Sequence, residues 1–181
     1  EVSGEALFLD RELSNFVESC RMVLGRTIRM TLETAPHLCI FVHRRRLRVS
    51  LLCLILQLRQ TMPSASHFTW QAEQQENEAV LRCTAVSDGT EPQSHRHSIP
   101  EQLYQTELRT PEEQVVQHFC RKYHAVLLTS QTDTQAQCTL RFPLHRDIRN
   151  LSLESSRREI DDGIFSLYQI FLSDISDYRF Y

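Results

Sequence analysis

Apolar residues recur at steps of three and four near the start of the chain: Leu9, Leu13, Phe16, Val17, Cys20, Val23 and Leu24. That spacing predicts an amphipathic helix with one buried stripe, and Gly25 supplies its stop. The period then changes to two, with Ile28, Met30 and Leu32 alternating against polar neighbours as in a half-buried strand, and "HLCIFVH" predicts a shorter, more continuously apolar one. From Arg44 the helical period returns, with Leu47, Leu51, Leu54, Ile55 and Leu58 on one face and Val49, Leu52 and Leu56 near the other. A helix apolar on so much of its circumference has to be covered on most sides, so it is expected at the centre of the fold, packed on a sheet and stopped at Met62-Pro63.

The second half repeats this alternation. "HFTWQAEQ" and "AVLRCTAVSD", joined by "QENE", predict an antiparallel hairpin, and the aperiodic stretch from Gly89 to Thr110 predicts a long loop. "PEEQVVQHFCRKYH" opens with proline and two acids, the chemistry of a helix first turn, and a second hairpin follows in "AVLLTSQ" and "AQCTLRFPL". Near the C-terminus, Ser156 and Glu159 form a capping box ahead of Ile160, Ile164, Leu167, Tyr168, Phe171, Leu172 and Ile175, which predicts a helix. Asp162-Gly163 could instead make a hairpin turn there. Seven large apolar residues at that spacing are expected to cover apolar surface, on this domain or on a partner. The order of elements predicts an α+β fold, a two-layer sandwich with helices on one face of a mixed sheet.

Composition narrows the classes. With 181 residues, 41% of them hydrophobic, there is apolar material for one substantial core, so one domain with a small appendage is expected: residues 1–149 and a C-terminal extension, 150–181. A formal charge of −3 gives no electrostatic footprint for nucleic acid, and no apolar run approaches the roughly 18 residues of a membrane span, so a soluble chain is expected. The six cysteines are scattered singly without a C-x-x-C pair, which points to buried free thiols in a reducing, cytoplasmic setting. His95 and His97 have no further ligand residues at metal-binding spacing, and a solvated loop is the expectation. Arg44, Arg45, Arg46 and Arg48 read as a charged helix entrance where a partner carboxylate would offset the helix dipole.

Three stretches, in this order, resemble the ATP-binding domain of sensor histidine kinases, the GHKL or Bergerat-type ATPases that include type II topoisomerases and MutL. "RLRVSLLCLILQLRQTMP" resembles the family's "RLxQVLxNLLxNAxKFTP" helix, and "LRCTAVSDG" the strand entering its "DxGxG" box. "PEEQVVQHFCRKYHAVL" followed by "QCTLRFP" resembles "GLGLAIVxxIVExHGG" followed by "TxFxFxLP". The likeness covers about residues 7 to 143. It implies a nucleotide site formed by Cys53 and Gln57, at the two asparagine positions of the helix, with Asp88 on the adenine amino group and Gly89 after it.

The departures from the pattern fall on the residues that would do the binding. Magnesium requires hard oxygen ligands, which the thiol of Cys53 is not, although Gln57 keeps an amide oxygen. Thr90 and Pro92 stand where the backbone needs glycines to turn beneath a ligand. Pro111 and Glu113 replace the glycines that would frame the triphosphate, with Glu112 between them. Proline removes one N–H donor, and a carboxylate about 6 Å from one phosphate charge costs roughly 3 kcal/mol at an effective dielectric near 20. The resemblance therefore implies a degenerate, pseudokinase-like domain with a vestigial site at Asp88, Gly89, Gln57 and Cys53, no catalytic residues and no ATP or magnesium cofactor.

Its expected role is interaction in two-component-type signalling, with a kinase hairpin, a response regulator or a second copy as partner. A phospho-accepting helix hairpin, if the pattern holds, belongs upstream of this segment, and His124 matches a structural histidine of the family. The alternatives are a divergent active kinase using Asp88 and Gln57, and an unrelated structural α+β module in which Asp88-Gly89 is a simple turn.

Overall fold

The computed structural model describes residues 3–87, 110–146 and 167–175. Its elements run β1 (Glu5–Phe8), α1 (Leu9–Leu24), β2 (Arg29–Thr34), β3 (Cys39–Val42), α2 (Arg44–Thr61), β4 (Ala65–Gln75), β5 (Glu78–Ser87), α3 (Pro111–Tyr123), β6 (Val126–Gln131), β7 (Gln135–Pro143) and α4 (Leu167–Leu172). Five strands form a mixed sheet in the order β2-β4-β5-β7-β6, in which β2 and β4 are parallel and the other neighbours antiparallel. The expected α+β sandwich is the observed architecture.

Alternation decides which face of the sheet is dry. Phe68, Trp70 and Ala72 of β4, Leu81, Cys83 and Ala85 of β5, and Cys138, Leu140 and Phe142 of β7 are buried against the helices. Phe16 of α1 meets Trp70 edge-on at 5.3 Å between ring centroids, and Phe119 of α3 meets Phe142 in the same way at 6.1 Å. The opposite face is more polar, although Val126 and Leu128 of β6 lie on it. Thr31 donates to Thr69, Gln71 to Glu33 and Arg82 to Glu73 across it.

α2 lies centrally, as its two-sided apolar pattern requires, with Leu47, Leu51, Leu52, Leu54, Ile55 and Leu58 all buried. Its charged entrance has the carboxylates it needs: Glu12 of α1, only 4% exposed, lies 3.0 Å from Arg44 and 3.4 Å from Arg48, and Glu5 lies 3.6 Å from Arg44. Arg45 and Arg46 are exposed. Gly25 ends α1 at φ 66°, a left-handed conformation that favours glycine.

Two corrections concern the N-terminal strands. β1 was not expected, since four residues, Glu-Ala-Leu-Phe, are too few to establish a period. The strand in "HLCIFVH" does not join the main sheet but pairs antiparallel with β1, Glu5 opposite Val42, as a separate two-stranded ribbon. The hairpin turns are also tighter than the polar segments suggest, since β4 and β5 extend to Gln75 and Glu78 and leave only Glu76 and Asn77 between them.

All six cysteines are free and buried, and Cys83 and Cys138 face each other across β5 and β7. His95, His97, Asp162 and Gly163 lie outside the described residues, as does the helix start expected at Ser156. Within them, α4 packs on α1 and α2: Leu172 is fully buried, and the Tyr168 ring lies 5.7 Å from that of Phe16. Replacing Leu172 with alanine should therefore cost about 2–3 kcal/mol, read as a lower urea midpoint at unchanged slope. A change within about 0.5 kcal/mol would mean that α4 does not hold this position in solution.

Candidate nucleotide site

Cys53 and Gln57 are one turn apart on α2 and so share a face. Cys53 is buried at 2% exposure, and Gln57 is half-buried with its Oε1 enclosed and without a hydrogen-bond partner among the described residues. α3 packs along α2 and sets its first turn beside this face. Glu112 comes near enough for its charge, added to burial as the larger cause, to push the Cys53 thiol up to about 11. One carboxylate oxygen of Glu112, Oε2, is likewise enclosed without a hydrogen-bond partner among the described residues.

The start of α3 has few donors left for an anion. A helix normally presents four unpaired N–H groups there. Pro111 has none and Glu113 N–H donates to the Thr110 hydroxyl at 3.2 Å, while the regular helix ladder begins with Gln114 N–H donating to the Thr110 carbonyl at 3.0 Å. Of the first three helical residues this leaves the Glu112 amide, next to its own carboxylate. Glu113 also accepts from Gln117 Nε2 at 2.9 Å, which holds its side chain along the helix. Thr110, Pro111 and the two acids thus form a self-capped helix start.

Beside this seam lies a groove of about 400 Å³. Leu56, Arg59 and Gln60 of α2 and Glu112 of α3 form one side, while Ile170, Phe171, Asp174 and Ile175, in and just after α4, form the other. Neither Cys53 nor Gln57 lines it. Arg59 is itself held, its guanidinium donating to the Ala65 carbonyl. Asp88 and Gly89 lie outside the described residues, so of the four candidate residues only Cys53 and Gln57 have described positions, and these are together. The sequence marked Glu112 as hostile to phosphate but not as a neighbour of Cys53. The part played by α4 had no signal in the sequence beyond its apolar spacing. Among the described residues no three His, Cys, Asp or Glu side chains are placed to share a metal ion.

No family model and no curated protein matches this sequence. Solved structures do. The histidine kinase AdeS of Acinetobacter baumannii superposes with a TM-score of 0.58 at 12% identity, over 81% of this chain and 70% of that one. The catalytic domain of the histidine kinase ThkA, in a nucleotide-free form, gives 0.58 at 11% identity over 78% and 97%. The mycobacterial sensor histidine kinase MprB gives 0.58 at 14% identity over 79% and 99%. This chain has the histidine kinase ATPase fold. Identities this low carry the fold and not the chemistry, so within the histidine-kinase-type frame the groups at Cys53, Gln57 and Glu112 have to speak for themselves. No helix among the described residues is long and apolar enough to cross a membrane.

Proposed function

We propose that this is a degenerate histidine-kinase-type domain, a pseudokinase that does not use ATP or magnesium and acts as an interaction or regulatory module in two-component-type signalling. The observation that carries this is the Glu112 carboxylate set beside Cys53, at a helix start that loses one backbone donor to Pro111 and another to the Thr110 cap. A triphosphate placed there would meet negative charge in place of N–H groups, and a thiol in place of a hard ligand. Residues of the C-terminal extension, 150–181, in and just after α4 wall the groove beside the seam together with Glu112. The partners that suit such a module are a kinase hairpin, a response regulator or a second copy of the chain, in the cytoplasm.

Titration with ATP and magnesium, followed by calorimetry and thermal shift, should show affinity no tighter than about millimolar, equivalent to about 4 kcal/mol. Autokinase activity should be absent. Micromolar binding that is abolished by Asp88→Asn would overturn the pseudokinase assignment and establish a divergent active enzyme.

A further inference from the structure

The two edges of the five-stranded sheet are finished differently. β2, at one edge, carries Arg29 and Glu33, and Glu33 accepts from Gln71 of the neighbouring strand. β6, at the other, reads Val-Leu-Leu-Thr-Ser-Gln: no charge, no proline, and unbroken register with β7 from Val126 opposite Arg141 to Gln131 opposite Ala136. Sheets usually blunt an open edge with lysine, proline or a bulge, because its unpaired N–H and C=O groups are a template for another strand. β6 has none of these devices. On the face away from the helices its Val126 and Leu128 are 48% and 51% exposed, and among the described residues no strand pairs with its outer edge.

We propose that β6 is a self-association edge at which two copies of this chain pair β6 to β6 antiparallel, joining the two sheets into one. A two-fold axis perpendicular to the joined sheet keeps both helical layers on one side and requires directly opposed residues to share a face. The axis then passes between the two copies of one residue, and centring it on Leu128 sets that exposed side chain against its own copy with Val126 diagonal to it. Leu128 opposes its own copy, Leu127 opposes Thr129, and Val126 opposes Ser130, so that Val126, Leu128 and their copies form one apolar strip. A charged residue near the axis would face itself, and β6 contains none. The ends complement each other as well: the β6–β7 turn of each copy carries Asp133 and falls at the end where α3 of the other copy carries Arg121 and Lys122. This edge is independent of the α2–α3 seam, so the proposal holds whether or not nucleotide binds.

Sedimentation of the full chain at rising concentration should show a reversible dimer by about 100 μM, and Leu128→Lys should weaken it at least about tenfold by setting like charges opposite each other. Because Leu128 is exposed, the variant should keep the circular dichroism of the parent. Leu128→Cys should cross-link to a covalent dimer on mild oxidation, and Ser130→Cys, which faces Val126 of the other copy and not its own copy, should not. A parent protein monomeric at that concentration overturns the proposal. So does a dimer indifferent to Leu128→Lys, or one cross-linked equally through either cysteine.

Discussion

Raising the pH from 9 to 11 should destabilise this domain strongly. Burial pushes the thiols of Cys20 and Cys83 well above their ordinary 9.0, takes Cys138 to about 12 and Cys120 to about 11, and with the Glu112 charge takes Cys53 to about 11. These groups stay protonated in the folded chain and ionise once it unfolds. Their contribution is therefore complete below pH 9 and is lost as the pH climbs through the folded values. Each thiol that ionises only in the unfolded chain removes about 1.4 kcal/mol per pH unit, so Cys20, Cys83 and Cys138 alone remove about 4. Over two pH units that amounts to about 8 kcal/mol, of the order of a typical stability of about 5–15 kcal/mol. Tyr168, pushed up to about 12 chiefly by burial, adds to the loss above pH 10. The measurement is Trp70 emission and circular dichroism across the range, with Cys83→Ala and Cys138→Ala moving the midpoint upward relative to their stability at neutral pH. A flat profile to pH 11 would refute the assignment of these thiols to the core.

The second large effect is expected at Glu12. This carboxylate stands between Arg44 and Arg48 in the seam of α1 and α2, and α2 has no acid in its first turn and no side-chain cap at His43. Glu12→Ala would remove the buried carboxylate shared by Arg44 and Arg48 at the positive end of a helix dipole, a cost of about 3 kcal/mol even with Glu5 still 3.6 Å from Arg44. Adding Arg48→Leu should recover part of the loss, because one of the two partly buried positive charges is then gone. Urea unfolding of the single and double variants measures both. A single-variant loss below about 1 kcal/mol would class the cluster with ordinary exposed ion pairs.

The pattern of the chain made the helical layer legible because long amphipathic segments such as Leu9–Leu24 and Arg44–Thr61 repeat their period several times. The β4–β5 hairpin was legible for the same reason, with Phe68, Trp70 and Ala72 alternating against polar residues. β1 was not, because four residues contain two periods at most, and its partner β3 could not be separated from the main sheet by local sequence when pairing is decided at long range. The four arginines at the start of α2 announced a need for a carboxylate. Which one met it, Glu12, depends on how α1 lies across α2, a tertiary fact.

At the candidate site, residue types were legible and distances were not. Proline and two acids at the start of α3 can be read as opposed to phosphate from their chemistry alone. That Glu112 perturbs Cys53, and that α4 residues wall the adjoining groove, follow from the packing of three helices. Sequence spacing does not encode that packing, because each helix stripe specifies burial and not its neighbour.

The connectivity has a kinetic consequence. Thr31 of β2 bonds to Thr69 of β4 across 38 residues, Thr84 of β5 to Gln137 of β7 across 53, and the Tyr123 hydroxyl donates to the Ser3 carbonyl across 120. Only the β4–β5 and β6–β7 hairpins close locally; every other sheet pairing has to bear the entropy of a long loop before any contact rewards it. Such a chain belongs with the slow folders, in the millisecond-to-second range.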